Sequence, residues 1–358
     1  MPVDKLGLCR AMNGIHIMKS RMNQQVVLAS RPHGLPVQEN FRLVETELRE
    51  INDGEFLIQN LYLSMDAGFR HWMNEGSSDN YLPEMPIDAP VTSLTLGKVV
   101  ASKNADFEVG QLYLGRLAWE QYSISDGNDF LSLIANDLDM SLNHYLGVLG
   151  STGFTAYFGM LDIGQPQAGE VVLISAAAGA VGAIAGQIAK LHGAFVIGLT
   201  SSDEKCRRLE QDFGYDRVIN YKTTDVDSAL QDICPEGIDI YFDNVGGAIL
   251  ETALDHIREN ARIIMCGAVA SYNATEAIAG PANIFQLTTK RALMKGFMYT
   301  DHMDRYEEAT AAMTAWLEQG EIKNAEYVLS GIEDAGKAFC HMFEGKNLGK
   351  TLVKLDQQ

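Results

Sequence analysis

From Gln24 to about Ser125, short apolar runs alternate with turns carrying Gly, Asn and Asp. The runs FLIQNLYLSMD (56–66), SLTLGKVVAS (93–102) and LYLGRLAWEQYSIS (112–125) have strand composition. QQVVLASRP, beginning at Gln24, adds another strand-like run. Pro83, Pro86 and Pro90 mark an irregular loop between the first two long runs. The pattern predicts a β-rich unit.

The rhythm changes near Leu142. Apolar runs of strand length recur at VVLIS (171–175), FVIGLT (195–200), RVIN (217–220), IDIYFD (238–243), RIIMCG (262–267) and LMKGFM (293–298). Most are separated by helical patterns, one running to Lys190 and another beginning near Asp203. Strands apolar on both faces that alternate with helices predict a parallel α/β sheet. DRYEEATAAMTAWLEQG (304–320) predicts an amphipathic helix stopped by Gly320, and a shorter helix follows at 333–344. The last strand, KTLVKL, suits a return to the β-rich unit. The expected fold class is α/β: a doubly wound parallel sheet of Rossmann type joined to a smaller β-rich domain.

Between Val171 and Ala189 the chain carries no charge. A membrane span needs about 20 mainly apolar residues, so the length is close. Gly179, Gly182 and Gly186, a β-branched start and many small residues argue against a span. The better reading is strand, tight turn and helix. Ala177-Ala178-Gly179-Ala180-Val181-Gly182 is a dinucleotide fingerprint with Ala in place of the first Gly. Gly179 lets backbone approach a pyrophosphate, Gly182 lets helix approach sheet, and the helix N-terminus offers unpaired N–H groups.

The end of the second parallel strand discriminates between coenzymes. NAD sites place a carboxylate there. Here TSSDEKCRR gives neutral Thr200 and Ser201, followed by Lys205, Arg207 and Arg208. Asp203, the rival carboxylate, reads as a helix N-cap. The expected coenzyme is therefore NADPH.

Composition narrows the class. The chain has 358 residues, 46% apolar and 21% charged, long enough for two domains. A net charge of −19 argues against nucleic acid and against an anionic membrane surface. Cys9, Cys206, Cys234, Cys266 and Cys340 are odd in number and widely spaced, which fits reduced thiols in a cytoplasm. No secretory signal is expected, and residues 1–21 read as an extension ahead of the fold. The eight histidines are scattered, so no metal is expected, and His71 and His144 read as surface or packing residues.

In order, GFTAYFGMLDIG, ISAAAGAVGAIAGQIAK, SSDEK, INYKT, IDIYFDNVGG, CGAVASYN and KNLGK resemble the zinc-independent medium-chain dehydrogenase/reductases. The similarity is to their prostaglandin reductase, leukotriene B4 12-hydroxydehydrogenase, curcumin reductase and plant double-bond reductase branch. It spans about residues 24–356. The resemblance implies a GroES-like domain from 22–140 and 316–358, with a Rossmann domain at 141–315 inserted between them. It implies a homodimer joined through the Rossmann domains. It also implies NADPH-dependent reduction of the carbon–carbon double bond of small α,β-unsaturated ketones and aldehydes.

Carried over by motif, Gly179, Ala180, Val181 and Gly182 would meet the pyrophosphate, and Ser201, Lys205 and Tyr221 the adenosine end. Asn244 would contact cofactor in the cleft, with Cys266, Gly267, Ala268 and Tyr272 beside the nicotinamide. Phe297, Met298, Tyr299 and Asn347 would close around it. In such a reaction charge builds on the carbonyl oxygen and needs a donor. The resemblance assigns that role to Tyr272 with a cofactor ribose hydroxyl, although a packing or cofactor-only tyrosine is the alternative. One departure stands out. Many relatives carry D-P-Y-M-R where this chain has Asp66-Ala67-Gly68-Phe69-Arg70, so Gly68 replaces a substrate-facing tyrosine. Trp72, Met73 and Tyr81 either rebuild that wall or simply pack. Two other functions stay open: a quinone oxidoreductase, and a non-catalytic NADPH-binding protein.

Overall fold

A computed structural model describes residues 21–356 except 80, 81, 135–139 and 277. The expected extension, apart from Arg21, and Tyr81 lie outside the described residues.

Two main sheets organise the chain. The N-terminal part contributes β1 (Met22–Leu28), β2 (Phe41–Glu47), β3 (Phe56–Met65), β4 (Thr92–Ser102), β5 (Leu112–Ala118), β6 (Tyr122–Ser125) and β7 (Leu131–Ile134). β1 and β2 form a separate antiparallel hairpin. The middle carries β8 (Val171–Ile174), β9 (Phe195–Thr200), β10 (Arg217–Asn220), β11 (Ile238–Asp243), β12 (Ile257–Met265) and β13 (Leu293–Gly296). β14 (Glu326–Ser330) and β15 (Lys350–Lys354) close the chain.

The middle strands form a six-stranded parallel sheet of order β10-β9-β8-β11-β12-β13. Val172, Leu173, Ile174, Ile240, Tyr241 and Phe242 are buried, as strands covered on both faces require. The order reverses between β8 and β11, and ligands of doubly wound sheets sit at that switch point, beyond the strands' carboxyl ends. The helices are α1 (Ser151–Phe158), α2 (Ala180–Leu191), α3 (Asp203–Phe213), α4 (Val226–Ile233), α5 (Gly247–Asp255), α6 (Val269–Tyr272), α7 (Gln286–Thr289), α8 (Tyr306–Glu318) and α9 (Ala335–Phe343).

The uncharged run is therefore β8, a turn and α2. Among the described residues no helix is long and apolar enough to cross a membrane. Gly182 is needed for close approach: a Cβ there would lie 2.5 Å from Ala176 O and 2.8 Å from Ala177 Cα.

The C-terminal strands join the N-terminal sheet, whose order is β14-β15-β3-β4-β5-β7 with β6 on β3. β15 runs antiparallel to β3, pairing Thr351 with Met65. Lys350, only 2% exposed, pairs with Asp66 at the end of β3. Helix α8 packs against α1 through Tyr157, whose hydroxyl donates to Glu308 at 3.0 Å.

The structure corrects two local readings. The run 112–125 is two strands. Its break at Trp119–Gln121 is held by Glu120, which accepts from Asn23, Gln25 and Ser123. The cap of α3 is Ser202, whose hydroxyl accepts the Lys205 N–H at 3.3 Å. Asp203 instead accepts from Asn220 Nδ2 on β10 at 2.6 Å.

Candidate active site

A cleft of about 600 Å3 opens where the carboxyl ends of β8, β11 and β12 meet the N-terminal sheet. Its floor is the turn from β8 into α2. Ala176 takes φ +46°, a left-handed conformation unusual for a residue with a Cβ. The Gly179 N–H closes the turn by donating to Ala176 O at 2.8 Å. Gly179 is the N-cap of α2 and contributes no side-chain acceptor. The start of α2, with Ala180, Val181 and Gly182, lines the cleft. A helix N-terminus without a capping side chain presents N–H donors and partial positive charge to an anion.

The chain's last loop covers this turn. The Gly349 N–H donates to Ala178 O at 2.8 Å, and Asn347 Nδ2 reaches Gly349 O at 3.1 Å. At one end of the cleft Lys205 Nζ donates to Gly345 O at 2.7 Å. Among the described residues Lys205 has no salt bridge to a carboxylate. Burial, with help from the nearby Lys222 charge and against Glu204, lowers its pKa. A half-buried ammonium without a carboxylate, beside Ser201 and Tyr221, fits an anionic group. Arg207 and Arg208 do not join it. Both are exposed on α3, and Arg208 pairs with Asp212.

At the switch point one carboxylate organises the wall. Asp243 Oδ1 accepts from Tyr241 Oη at 2.7 Å, from the Val245 and Gly246 N–H groups at 2.9 Å, and from Ser175 Oγ at 3.0 Å. Asn244 is tied to Ser175 by its backbone N–H (2.8 Å) and by Nδ2 (2.7 Å). These bonds lock the ends of β8 and β11 together and fix Asn244 at the cleft. Beside them, burial with the Asp243 charge pushes the Cys266 thiol up to about 12, so it stays protonated and inert.

Tyr272 ends α6 and lines the cleft. Its hydroxyl oxygen accepts the Ala268 N–H at 3.2 Å. Burial raises its pKa, against the opposing effect of that N–H. The phenol is therefore neutral at physiological pH, with its proton available to a further acceptor. Accepting one hydrogen bond strengthens the donation of the other.

Of the expected site residues, Ala268 does not line the cleft. Its role here is the N–H that holds Tyr272. Gly68, Phe69, Trp72, Gly267, Phe297, Met298 and Tyr299 all line it, whereas Met73 is buried in the core.

Comparison with known proteins agrees with this architecture. Residues 24–133 match the family model described as the N-terminal domain of oxidoreductase, and residues 180–316 match that described as zinc-binding dehydrogenase. The NADPH-dependent curcumin reductase of Escherichia coli (strain K12) is 39% identical over 94% of this chain and 98% of its own. The NADP(+)-dependent 2-alkenal reductase of Nicotiana tabacum is 36% identical over 94% and 98%. The crystal structure of CurA from Vibrio vulnificus in complex with NADPH superposes with a TM-score of 0.87 at 40% identity, covering 94% of this chain and all of that one.

This chain belongs to the zinc-independent medium-chain dehydrogenase/reductases. Although one matched model carries zinc in its description, no three His, Cys, Asp or Glu side chains are grouped to hold a metal among the described residues. His71 is exposed and His144 half-buried.

Several lining residues of this reductase-family cleft escape a reading of the sequence. Ser151, Thr152 and Thr155 reach it from α1, which continues into a π-helical turn at Gly159–Gly164. Such turns recur at functional sites, but nothing local in GFTAYFGMLDIG announces one. Asp66 and Thr351 lie almost three hundred residues apart in sequence and meet only through the β3–β15 pairing. The family fingerprint DNVGG drew attention to Asn244 but not to Asp243, whose hydrogen bonds build the turn.

Proposed function

We propose that this chain is an NADPH-dependent reductase of the carbon–carbon double bond of α,β-unsaturated ketones and aldehydes. The observation that carries this reading is the neutral phenol of Tyr272, held by Ala268 N–H in the cleft that the anion-receptive start of α2 also lines. The curcumin and 2-alkenal reductases among its relatives support the same chemistry.

The residues present fit the coenzyme. Gly179, Ala180, Val181 and Gly182 would offer their backbone to the pyrophosphate. Lys205, with Ser201 and Tyr221, would receive the 2′-phosphate. Asn244, Asn347 and the 297–299 segment would orient the nicotinamide end. When bound, NADPH supplies a hydride for the β-carbon of the substrate. Tyr272 would donate a hydrogen bond, keeping its proton, to the carbonyl oxygen where enolate charge accumulates. That donor strengthens as charge develops, which lowers the barrier rather than merely tightening binding. The α-carbon takes its proton from solvent.

The test is NADPH oxidation followed at 340 nm with a panel of 2-alkenals, enones and quinones, with products identified by mass. Saturated carbonyl products are expected. Turnover of quinones alone, or tight NADPH binding without turnover, would overturn the reading.

We also propose a homodimer formed through the parallel sheet. Strand β13 is its edge, and Leu293 on it is 49% exposed. An unpaired apolar edge is a template for another strand, and a second copy of β13 satisfies it symmetrically. Light scattering after gel filtration should give the mass of two chains; the mass of one chain removes this proposal.

A further inference from the structure

Gly68 has neither of the usual structural reasons to be glycine. It is absent from the residues with positive φ, so its backbone does not demand glycine. A Cβ built there meets nothing within 4 Å, so no close packing demands it either. Gly182, by contrast, has backbone pressed against it. A glycine inside a helical turn costs roughly 0.5–1 kcal/mol relative to alanine. At position 68 that cost yields only empty space, and the space belongs to the cleft.

The turn bearing Gly68, Ala67–Met73, is pinned on both sides. Before it, Asp66 is paired with buried Lys350 and accepts from Ser64. Within it, two residues past Gly68, the Arg70 guanidinium is buried and donates to Pro32 O at 2.9 Å, Gly34 O at 3.0 Å and Asn74 Oδ1 at 2.6 Å. Position 68 is thus a fixed point in the wall, and a side chain added there would enter the cleft without shifting the turn. Phe69 and Trp72 form an apolar edge-to-face pair beside it, with ring centroids 5.7 Å apart. The turn packs against α6, the helix that carries Tyr272. The open space therefore adjoins the proposed reacting centre.

We infer that Gly68 sets the girth of the substrate: the cleft takes unsaturated ketones with a ring or aryl group against the 66–69 turn, in preference to straight-chain 2-alkenals. This rests on the double-bond reductase reading above. A ring fills the volume that a side chain at 68 would occupy and gains dispersion contacts with Phe69 and Trp72. A slender alkyl chain leaves part of that volume empty and forfeits them.

The experiment compares kcat/KM for trans-4-phenyl-3-buten-2-one and trans-2-hexenal in the full chain, in Gly68→Ala and in Gly68→Leu. Dissociation constants of their saturated products, 4-phenyl-2-butanone and hexanal, are measured calorimetrically on the NADP+ complexes. The unsubstituted chain should favour the aryl ketone. The aryl-to-alkyl ratio should fall roughly 10- to 100-fold in Gly68→Leu, and less in Gly68→Ala, in both turnover and binding. A ratio unchanged in both variants overturns the inference, whether the two substrates suffer equally or neither does. If neither unsaturated compound is turned over, the reductase reading fails by itself. The binding ratio then still decides the wall, a fall supporting the inference and constancy overturning it.

Discussion

Tyr272→Phe is expected to lower kcat on an enone roughly tenfold to a thousandfold, with the dissociation constant of NADPH changed no more than about threefold. The substitution removes one oxygen and keeps the ring that packs at the end of α6. In the folded protein that oxygen makes one hydrogen bond, from Ala268 N–H. Losing it leaves a half-buried N–H short of a partner, a modest structural cost. The larger loss falls in the transition state, where the carbonyl oxygen gains charge and a positioned donor is gone. The range is wide because a coenzyme ribose hydroxyl would share the same oxygen. Single-turnover kinetics with saturating NADPH isolate the chemical step. A kcat within twofold of the parent chain would remove Tyr272 from the mechanism and leave it a packing residue.

Direction matters for the pH profile as well. Burial raises the Tyr272 pKa, so the proton-donating form persists further into the alkaline range than in an exposed tyrosine. The Cys266 thiol beside it is held up to about 12, so it stays protonated at physiological pH.

What the sequence made legible was the part fixed by repeating local pattern. Strands buried on both faces read directly as VVLIS, FVIGLT and IDIYFD, and the glycine spacing located the floor of the cleft. What escaped was set by partners distant in the chain. The break in the 112–125 run depends on Glu120 finding Asn23 and Gln25 about a hundred residues earlier, in a hairpin strand. Ser202 and Asp203 are equally good capping types. The choice fell to Ser202 because Asn220, on the neighbouring strand, engages the Asp203 carboxylate. The three cations after β9 looked equivalent in sequence. Helical geometry turns Lys205 into the cleft and leaves Arg207 and Arg208 on the exposed surface.

That difference among cations sets the second large effect. Lys205→Ala is expected to reduce the preference for NADPH over NADH, read as a ratio of kcat/KM values, roughly 10- to 100-fold. The ratio is the right readout because Lys205 has two jobs. Its ammonium holds Gly345 O and so steadies the loop that reaches back to Ala178 through Gly349. Losing that tether would weaken both coenzymes together, since the proposed pyrophosphate site is the turn into α2 that this loop covers. Only the loss of charge facing the proposed 2′-phosphate site would separate them. Burial amplifies this charge, which lies partly out of water and has no carboxylate partner among the described residues, so an arriving phosphate would meet little competition. The same burial makes the empty site costly, and a bound dianion offsets that cost by favouring the protonated amine. Lys222 nearby supplies residual attraction, so the preference should shrink rather than invert. Equal losses for NADPH and NADH would reduce Lys205 to a loop tether and move recognition of the 2′-phosphate to other groups.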